Sequence, residues 1–171
     1  MYNGACLRGQ SGLRHGFEMA RAVEIRAGEE ADKEWCARLM AESEPWITLE
    51  QDLLLCRTKL RRAGTELFVA TEKDGEPLLG FILVAAHGFA GSPYISSIGV
   101  ASEARGRGVG RELLRYAEKY FAEQKRVFLL VSSFNARAEK FYRREGYEPA
   151  GELKDFVVKG HSELIFCKKL E

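Results

Sequence analysis

The segment Val100-Ala101-Ser102-Glu103-Ala104-Arg105-Gly106-Arg107-Gly108-Val109-Gly110-Arg111 constrains this chain more than any other. Residues 93–100 before it read as a strand. After it, Val109, Leu113, Leu114, Ala117, Tyr120 and Phe121 recur at helical spacing to about residue 124. A strand therefore passes into a helix through three glycines in five positions. Glycine lets the backbone approach a ligand closely, and the free N–H groups of a first helical turn point outward towards anions. With Arg105, Arg107 and Arg111 alongside, the joint reads as a cradle for a pyrophosphate. It is not a dinucleotide-binding turn, because the third glycine follows the second by two positions instead of three, and it lacks the GK[ST] ending of a P-loop. A glycine-rich connection with solvated arginines is the competing reading.

Around this joint the chain alternates between the two kinds of element. Val127, Phe128, Leu129, Leu130 and Val131 form a continuous apolar run, the mark of a strand buried on both faces. Upstream, residues 22–26 alternate like a strand. Trp35, Leu39 and Met40 lie at helical spacing within residues 29–43, and Leu49, Leu53, Cys56 and Leu60 form one stripe over residues 49–62. Residues 65–71 and 78–87 read as strands joined by the tight turn Lys73-Asp74-Gly75-Glu76. Asn135 can cap a short helix that Gly146 ends, and residues 147–153 and 163–170 close the chain as strands. The order is β α α β β β α β α β β, an α/β or α+β domain over residues 21–171. Residues 1–20, glycine-rich and without periodicity, form an arm outside it. The 171-residue length suits one core.

Charge and composition exclude several classes. Twenty-six basic side chains against 25 acidic ones give a net charge of +1, which lacks the basic excess of a dedicated nucleic-acid binder. No apolar run approaches the roughly 20 residues of a membrane span, and the first residues lack the apolar core of a secretory signal. Cys6, Cys36, Cys56 and Cys167 are widely spaced, with no CxxC and no paired histidines at metal-ligand spacing. They read as reduced thiols of a cytoplasmic chain that holds no metal.

A second informative stretch is Asn135-Ala136-Arg137-Ala138-Glu139-Lys140-Phe141-Tyr142-Arg143-Arg144-Glu145-Gly146-Tyr147. Asn135 offers an amide at a helix start, Ala138 is small enough for a ligand to pass, and Tyr142 lies four residues beyond it on the same face. Packing of Phe141 and Tyr142 onto a sheet is the competing reading. Taken together, the two segments resemble the GCN5-related N-acetyltransferase (GNAT) superfamily. Arg105, Gly108 and Gly110 match its Q/R-x-x-G-x-G/A signature. Asn135, Ala138, Phe141, Tyr142, Gly146 and Tyr147 match its N-x-x-A-x-x-F/Y-Y-x-x-x-G-F/Y pattern. The resemblance covers about residues 21–170 and implies a mixed central sheet of about six to seven strands with flanking helices.

The resemblance further implies that two central strands, residues 93–100 and 126–132, splay apart around acetyl-CoA, a co-substrate used without a metal. Its pantetheine arm would pair with the main chain at Ile98, Gly99 and Val100. Its pyrophosphate would rest on Arg105, Gly106, Arg107, Gly108, Val109 and Gly110, with Arg111 adding charge. Asn135 would bond the pantetheine, and Ala138, Phe141 and Tyr142 would border the thiol end. Neither motif contains a cysteine, so the acetyl group would pass directly to a primary amine of a small molecule or peptide.

Such a transfer needs three things. An amine of lysine-like basicity must lose a proton, about 4.6 kcal/mol at pH 7. The oxyanion needs a backbone N–H donor, and the thiolate needs a proton, for which Tyr142 is the donor the resemblance implies. The base is open: Tyr94 and Ser96 occupy the strand positions that would order a water, Leu130 stands where some relatives place a glutamate, and His87, Glu44 and Glu163 are neighbouring alternatives. For the acceptor, Trp46 would stack on it and Glu42 or Glu44 would pair with a cationic amine, with residues 156–161 as the opposite wall. A non-catalytic CoA-binding sensor or partner-binding module is the alternative, and Tyr142 speaks against it. A homodimer through the terminal strands is compatible with the sequence, but no residue pattern establishes one.

Overall fold

The computed structural model describes residues 23–73 and 75–170. The proposed arm, residues 21 and 22, Cys6 and Asp74 of the expected turn lie outside the described residues. The strands are β1 (Val23–Ala27), β2 (Thr65–Glu72), β3 (Leu78–Phe89), β4 (Ser92–Val100), β5 (Arg126–Ser132), β6 (Glu148–Leu153) and β7 (Glu163–Lys169). The helices are α1 (Glu30–Ala41), α2 (Leu53–Leu60), α3 (Val109–Tyr120) and α4 (Ala136–Arg144). One seven-stranded mixed sheet runs in the order β1-β2-β3-β4-β5-β7-β6. Its only parallel neighbours are β4 and β5.

Alternation along the strands builds two cores. Phe68, Ala70, Ile82, Val84 and Ile95 point to the face covered by α3 and α4, with Val109, Leu113, Leu114 and Tyr142 above them. Leu67, Val69, Phe81 and Leu83 point to the opposite face, under Cys36, Met40, Cys56 and Leu60 of α1 and α2. The continuous run on β5 is covered unequally. Val127, Leu129 and Val131 are buried towards α3 and α4, whereas Phe128 and Leu130 are half-buried. The second face of β5 is thus less covered than an apolar run predicts.

The expected helix over residues 49–62 starts later. Asp52 caps α2 by accepting from the Leu55 N–H at 2.8 Å, and residues 43–50 form successive turns before it. The expected end of α3 also moves back from residue 124 to Tyr120, which is exposed and donates its hydroxyl to Glu66 at 2.6 Å.

The join between β4 and β5 decides what the fold can hold. The two strands pair only at Tyr94 with Phe128 and Ile95 with Leu129, and their ladder stops there. Their outer edges stay paired: β4 follows β3 as far as Val100 opposite Gly80, and β5 follows β7 as far as Ser132 opposite Glu163. The gap is therefore not a frayed end, because each strand is held on its far side. A β-bulge starts it. The register steps from Val84 opposite Ile95 to Leu83 opposite Ser97, so Ser96 is an extra residue that bends β4 away.

Candidate active site

Beyond Ile95 the alternate N–H and C=O groups of β4 that would have met β5 face an open slot, and buried backbone groups require partners. Ile98, Gly99 and Val100 lie along this edge. Gly99 has no room for a side chain, since a Cβ there would meet Cε1 of the buried Phe81 at 2.5 Å.

The slot leads to the start of α3. Gly106 and Gly108 adopt φ of 79° and 86°, a left-handed conformation that glycine takes without strain, and open space surrounds both. Gly108 is the N-cap and supplies no side-chain bond, so the first-turn N–H groups of Val109, Gly110 and Arg111 are uncapped. The arginines are more engaged than a free cradle predicts. Arg107 bonds Glu72 at 2.8 Å, Arg111 bonds Glu145 at 2.9 Å, and Arg105 Nε donates to the Val100 carbonyl at 3.3 Å. Arg107 and Arg111 thus tie the loop to β2 and α4. The Arg105 and Arg107 N–H groups are spent on the Ser102 and Ala104 carbonyls, which leaves the amides at the start of α3 to face an anion.

Asn135 caps α4 by accepting from the Ala138 N–H at 3.1 Å, while its amide nitrogen engages no protein group among the described residues. A Cβ on Gly110 would lie 3.5 Å from Phe141 Cζ, so the start of α3 packs beside the Phe141 ring of α4. Tyr142 is 7% exposed, its ring 5.3 Å from Phe141 and 5.8 Å from Tyr147. Its hydroxyl bonds no protein group, yet it is not sealed in, since Tyr147 carries the only fully enclosed unpartnered side-chain oxygen or nitrogen among the described residues. Burial pushes the Tyr142 hydroxyl above the ordinary phenol range, and neighbouring Tyr94 adds to the shift.

Tyr94 belongs to the other face. It lies opposite Ala85 and beside Phe128, stacked on Phe89 at 6.2 Å. Burial, followed by the charge of Glu163, pushes its hydroxyl up to about 12. Tyr142 thus lies on the α4 side of the sheet and Tyr94 on the opposite side. Ser96, the bulge residue, accepts at its carbonyl from the Ser97 hydroxyl at 2.8 Å.

The expected acceptor wall is partly corrected. Trp46 is 6% exposed and stacks on Phe81 at 6.3 Å, in the core under α1 and α2. An indole so enclosed anchors the turn between the helices and has no face left for an acceptor. Glu44 turns back onto Thr48, accepting from its N–H at 3.2 Å and its hydroxyl at 3.0 Å, and Glu42 caps the end of α1. His87 is exposed, with Nδ1 3.2 Å from the Gly91 carbonyl.

Glu163 is the carboxylate the fold places on the same sheet face as Tyr94, one strand beyond the gap. It lies opposite Ser132 on the last rung of β5 and β7, 5% exposed, and accepts from the Ser132 hydroxyl at 2.7 Å. Burial raises its pKa above the ordinary carboxylate value, against the lowering effects of the Ser132 bond and the Lys59 charge. Ser132 and Lys59 escape a reading of the sequence, because nothing local shows that β7 will pair with β5 or that α2 will reach its end.

The residues present fit acetyl-CoA. A slot with bare amides would take the pantetheine arm, and uncapped N–H groups beyond glycines without obstruction would take the pyrophosphate. Among the described residues no cluster of His, Cys, Asp and Glu could hold a metal ion, and no helix is long and apolar enough to cross a membrane.

Comparison with known proteins agrees with this geometry. An uncharacterized N-acetyltransferase of Methanocaldococcus jannaschii is 32% identical over 105 residues, 60% of this chain and 65% of that protein. Streptothricin acetyltransferase of Streptomyces lavendulae is 36% identical over 91 residues, 52% of this chain and 48% of that protein. The matches thus span about two thirds and one half of these relatives' lengths. A GNAT-family acetyltransferase of Desulfovibrio desulfuricans superposes with a TM-score of 0.70 at 22% identity, covering 88% of this chain and 100% of that one. Nourseothricin acetyltransferase does so with a TM-score of 0.69 at 22% identity, covering 88% and 99%; at this identity both structures show the shared fold. The model of the acetyltransferase (GNAT) family matches residues 24–147, well over half of the sequence, and the chain belongs to that family.

Proposed function

We propose that this protein is an acetyl-CoA-dependent N-acetyltransferase that passes the acetyl group directly to a primary amine of a small molecule or peptide. The observation that carries the reading is the fixed gap between β4 and β5, with the unbonded Tyr142 hydroxyl reaching it from α4 and Tyr94 flanking it from the other face. The name of streptothricin acetyltransferase supports a small-molecule acceptor. The free buried thiols of Cys36, Cys56 and Cys167 support a reducing, cytoplasmic setting.

In this reading Ile98, Gly99 and Val100 hold the pantetheine through the main chain, the amides of Gly106, Gly108, Val109 and Gly110 hold the pyrophosphate, and the Asn135 amide nitrogen donates to the arm, the Arg105 and Arg107 N–H groups being engaged by the Ser102 and Ala104 carbonyls. A backbone N–H of the open β4 edge stabilises the oxyanion. Tyr142, protonated at working pH, gives its proton to the departing thiolate. Tyr94 and Ser96 line the acceptor side of the gap.

A thermal-shift panel of acetyl-CoA, CoA, NAD and ATP tests the donor, and free-thiol release from acetyl-CoA over an amine library tests turnover. Stabilisation by the two CoA species and amine-dependent thiol release are expected. Preference for NAD or ATP would overturn the assignment. Binding of acetyl-CoA without thiol release would favour a CoA-binding module.

A further inference from the structure

We propose that Glu163 binds the ammonium of the acceptor amine and removes its proton, with Ser132 as the positioning residue that holds one oxygen of its carboxylate. The inference rests on the acetyltransfer reading and extends it to the acceptor: a primary amine that arrives protonated.

Strand alternation places Tyr94, Phe128, Leu130, Ser132 and Glu163 on one face of the sheet, the face that α1 and α2 leave only half covered over β5. Tyr142 lies on the other face, with α4. A proton donor and a carboxylate therefore lie on opposite faces of the sheet, and one ligand can approach both only where β4 and β5 part. Glu163 uses one oxygen, Oε1, to accept from Ser132, while Oε2 meets no protein donor among the described residues and is not fully enclosed. A buried carboxylate with one oxygen held and the other without a protein donor is suited to a cationic amine.

The groups around it come from every element packed there. Ser132 of β5 donates to it, Tyr94 of β4 feels its charge, and Lys59 of α2 attracts it without closing an ion pair among the described residues. His161 of the adjoining loop is turned onto Phe134, ring centroids 4.9 Å apart.

The proton balance closes. Glu163 takes one proton from R–NH3+, giving R–NH2 and a neutral carboxyl that later releases the proton to solvent. The nitrogen lone pair forms the C–N bond as the carbonyl electron pair moves to oxygen. When the oxyanion collapses, the C–S bond breaks, the thiolate takes the Tyr142 proton, and the second nitrogen proton restores Tyr142. The products are the amide, CoA thiol and one proton in solution.

The test uses E163Q, which keeps an acceptor for Ser132, together with S132A. The acceptor probes are ethylamine, spermidine, lysine amide and 2-phenylethylamine. The best of them is then compared with its β,β,β-trifluorinated analogue, which is largely the free amine at assay pH. E163Q should lower kcat/KM for the basic amine by about 10²- to 10⁴-fold and leave the acetyl-CoA thermal shift unchanged. Its defect should shrink for the fluorinated amine, which needs no proton removed before it attacks. Removing the Ser132 bond, which lowers the Glu163 pKa, should move the acidic limb of the pH profile to higher pH in S132A. An equal E163Q defect for both amines, or none, overturns the role of Glu163 while wild-type turnover leaves the acetyltransfer reading standing. Absence of wild-type thiol release with every amine overturns both.

Discussion

Replacing Tyr142 by phenylalanine removes one oxygen from a ring that stays where it is. The hydroxyl bonds no protein group, so no partner is orphaned, and contacts with Phe141 and Tyr147 persist. Stability should change by less than about 1 kcal/mol, a Tm shift under about 4 °C for a domain of this size. The chemistry should suffer far more. Loss of a positioned proton donor lowers kcat by about 10²- to 10⁴-fold, or about 3–5 kcal/mol of barrier. The KM for acetyl-CoA should stay the same, because the hydroxyl acts at the thiolate. Burial also raises the Tyr142 pKa, so wild-type kcat should show no alkaline fall below about pH 10. Thiol release over a pH series, beside a melting curve for each variant, measures all of this. An unchanged kcat would refute the proton-donor role, and a collapse in Tm would show that the hydroxyl is structural.

Three further outcomes probe other parts of the argument. Trp46→Ala should cost about 3–5 kcal/mol by denaturant melt, because it empties the core beside Phe81; a raised acceptor KM at unchanged stability would instead restore it to the binding wall. Gly99→Ala should cost about 1–3 kcal/mol, since Phe81 cannot retreat from the added Cβ; a variant as stable as wild type would show that β4 is free to shift. Asp32, held below the ordinary carboxylate range by its Arg26 hydrogen bonds at 2.6 and 3.0 Å, contributes stability that is present above its unfolded pKa and lost as pH falls through its folded one. Asp32→Asn should therefore cost about 1–3 kcal/mol at neutral pH, with the deficit closing in acid below about pH 4; a deficit independent of pH would show that the carboxylate charge is not its source.

Local chemistry was legible where it acts within one or two turns of chain. Asn135 caps α4, Gly146 ends it at a φ of 87°, and Gly106 and Gly108 shape the approach to α3, all from residue type and spacing. Other positions were not legible for a matching reason. A tryptophan in a polar turn has the same local signature whether it meets a ligand or a core, and only the packing of Phe81 beneath Trp46 decides. The three loop arginines likewise promise free charge until the fold supplies Glu72, Glu145 and the Val100 carbonyl as partners.

What the sequence determined by itself is the order of elements, the glycine joint and the family, since these depend on periodicity, turn geometry and motif spacing. What tertiary structure decided is the depth of the slot and the company of Glu163. Strand order and register are set by contacts between segments far apart in the chain: β5 pairs with β7 across α4 and β6, and α2 comes near from the other end. A carboxylate acquires its neighbours, and so its chemistry, only when those distant segments have packed.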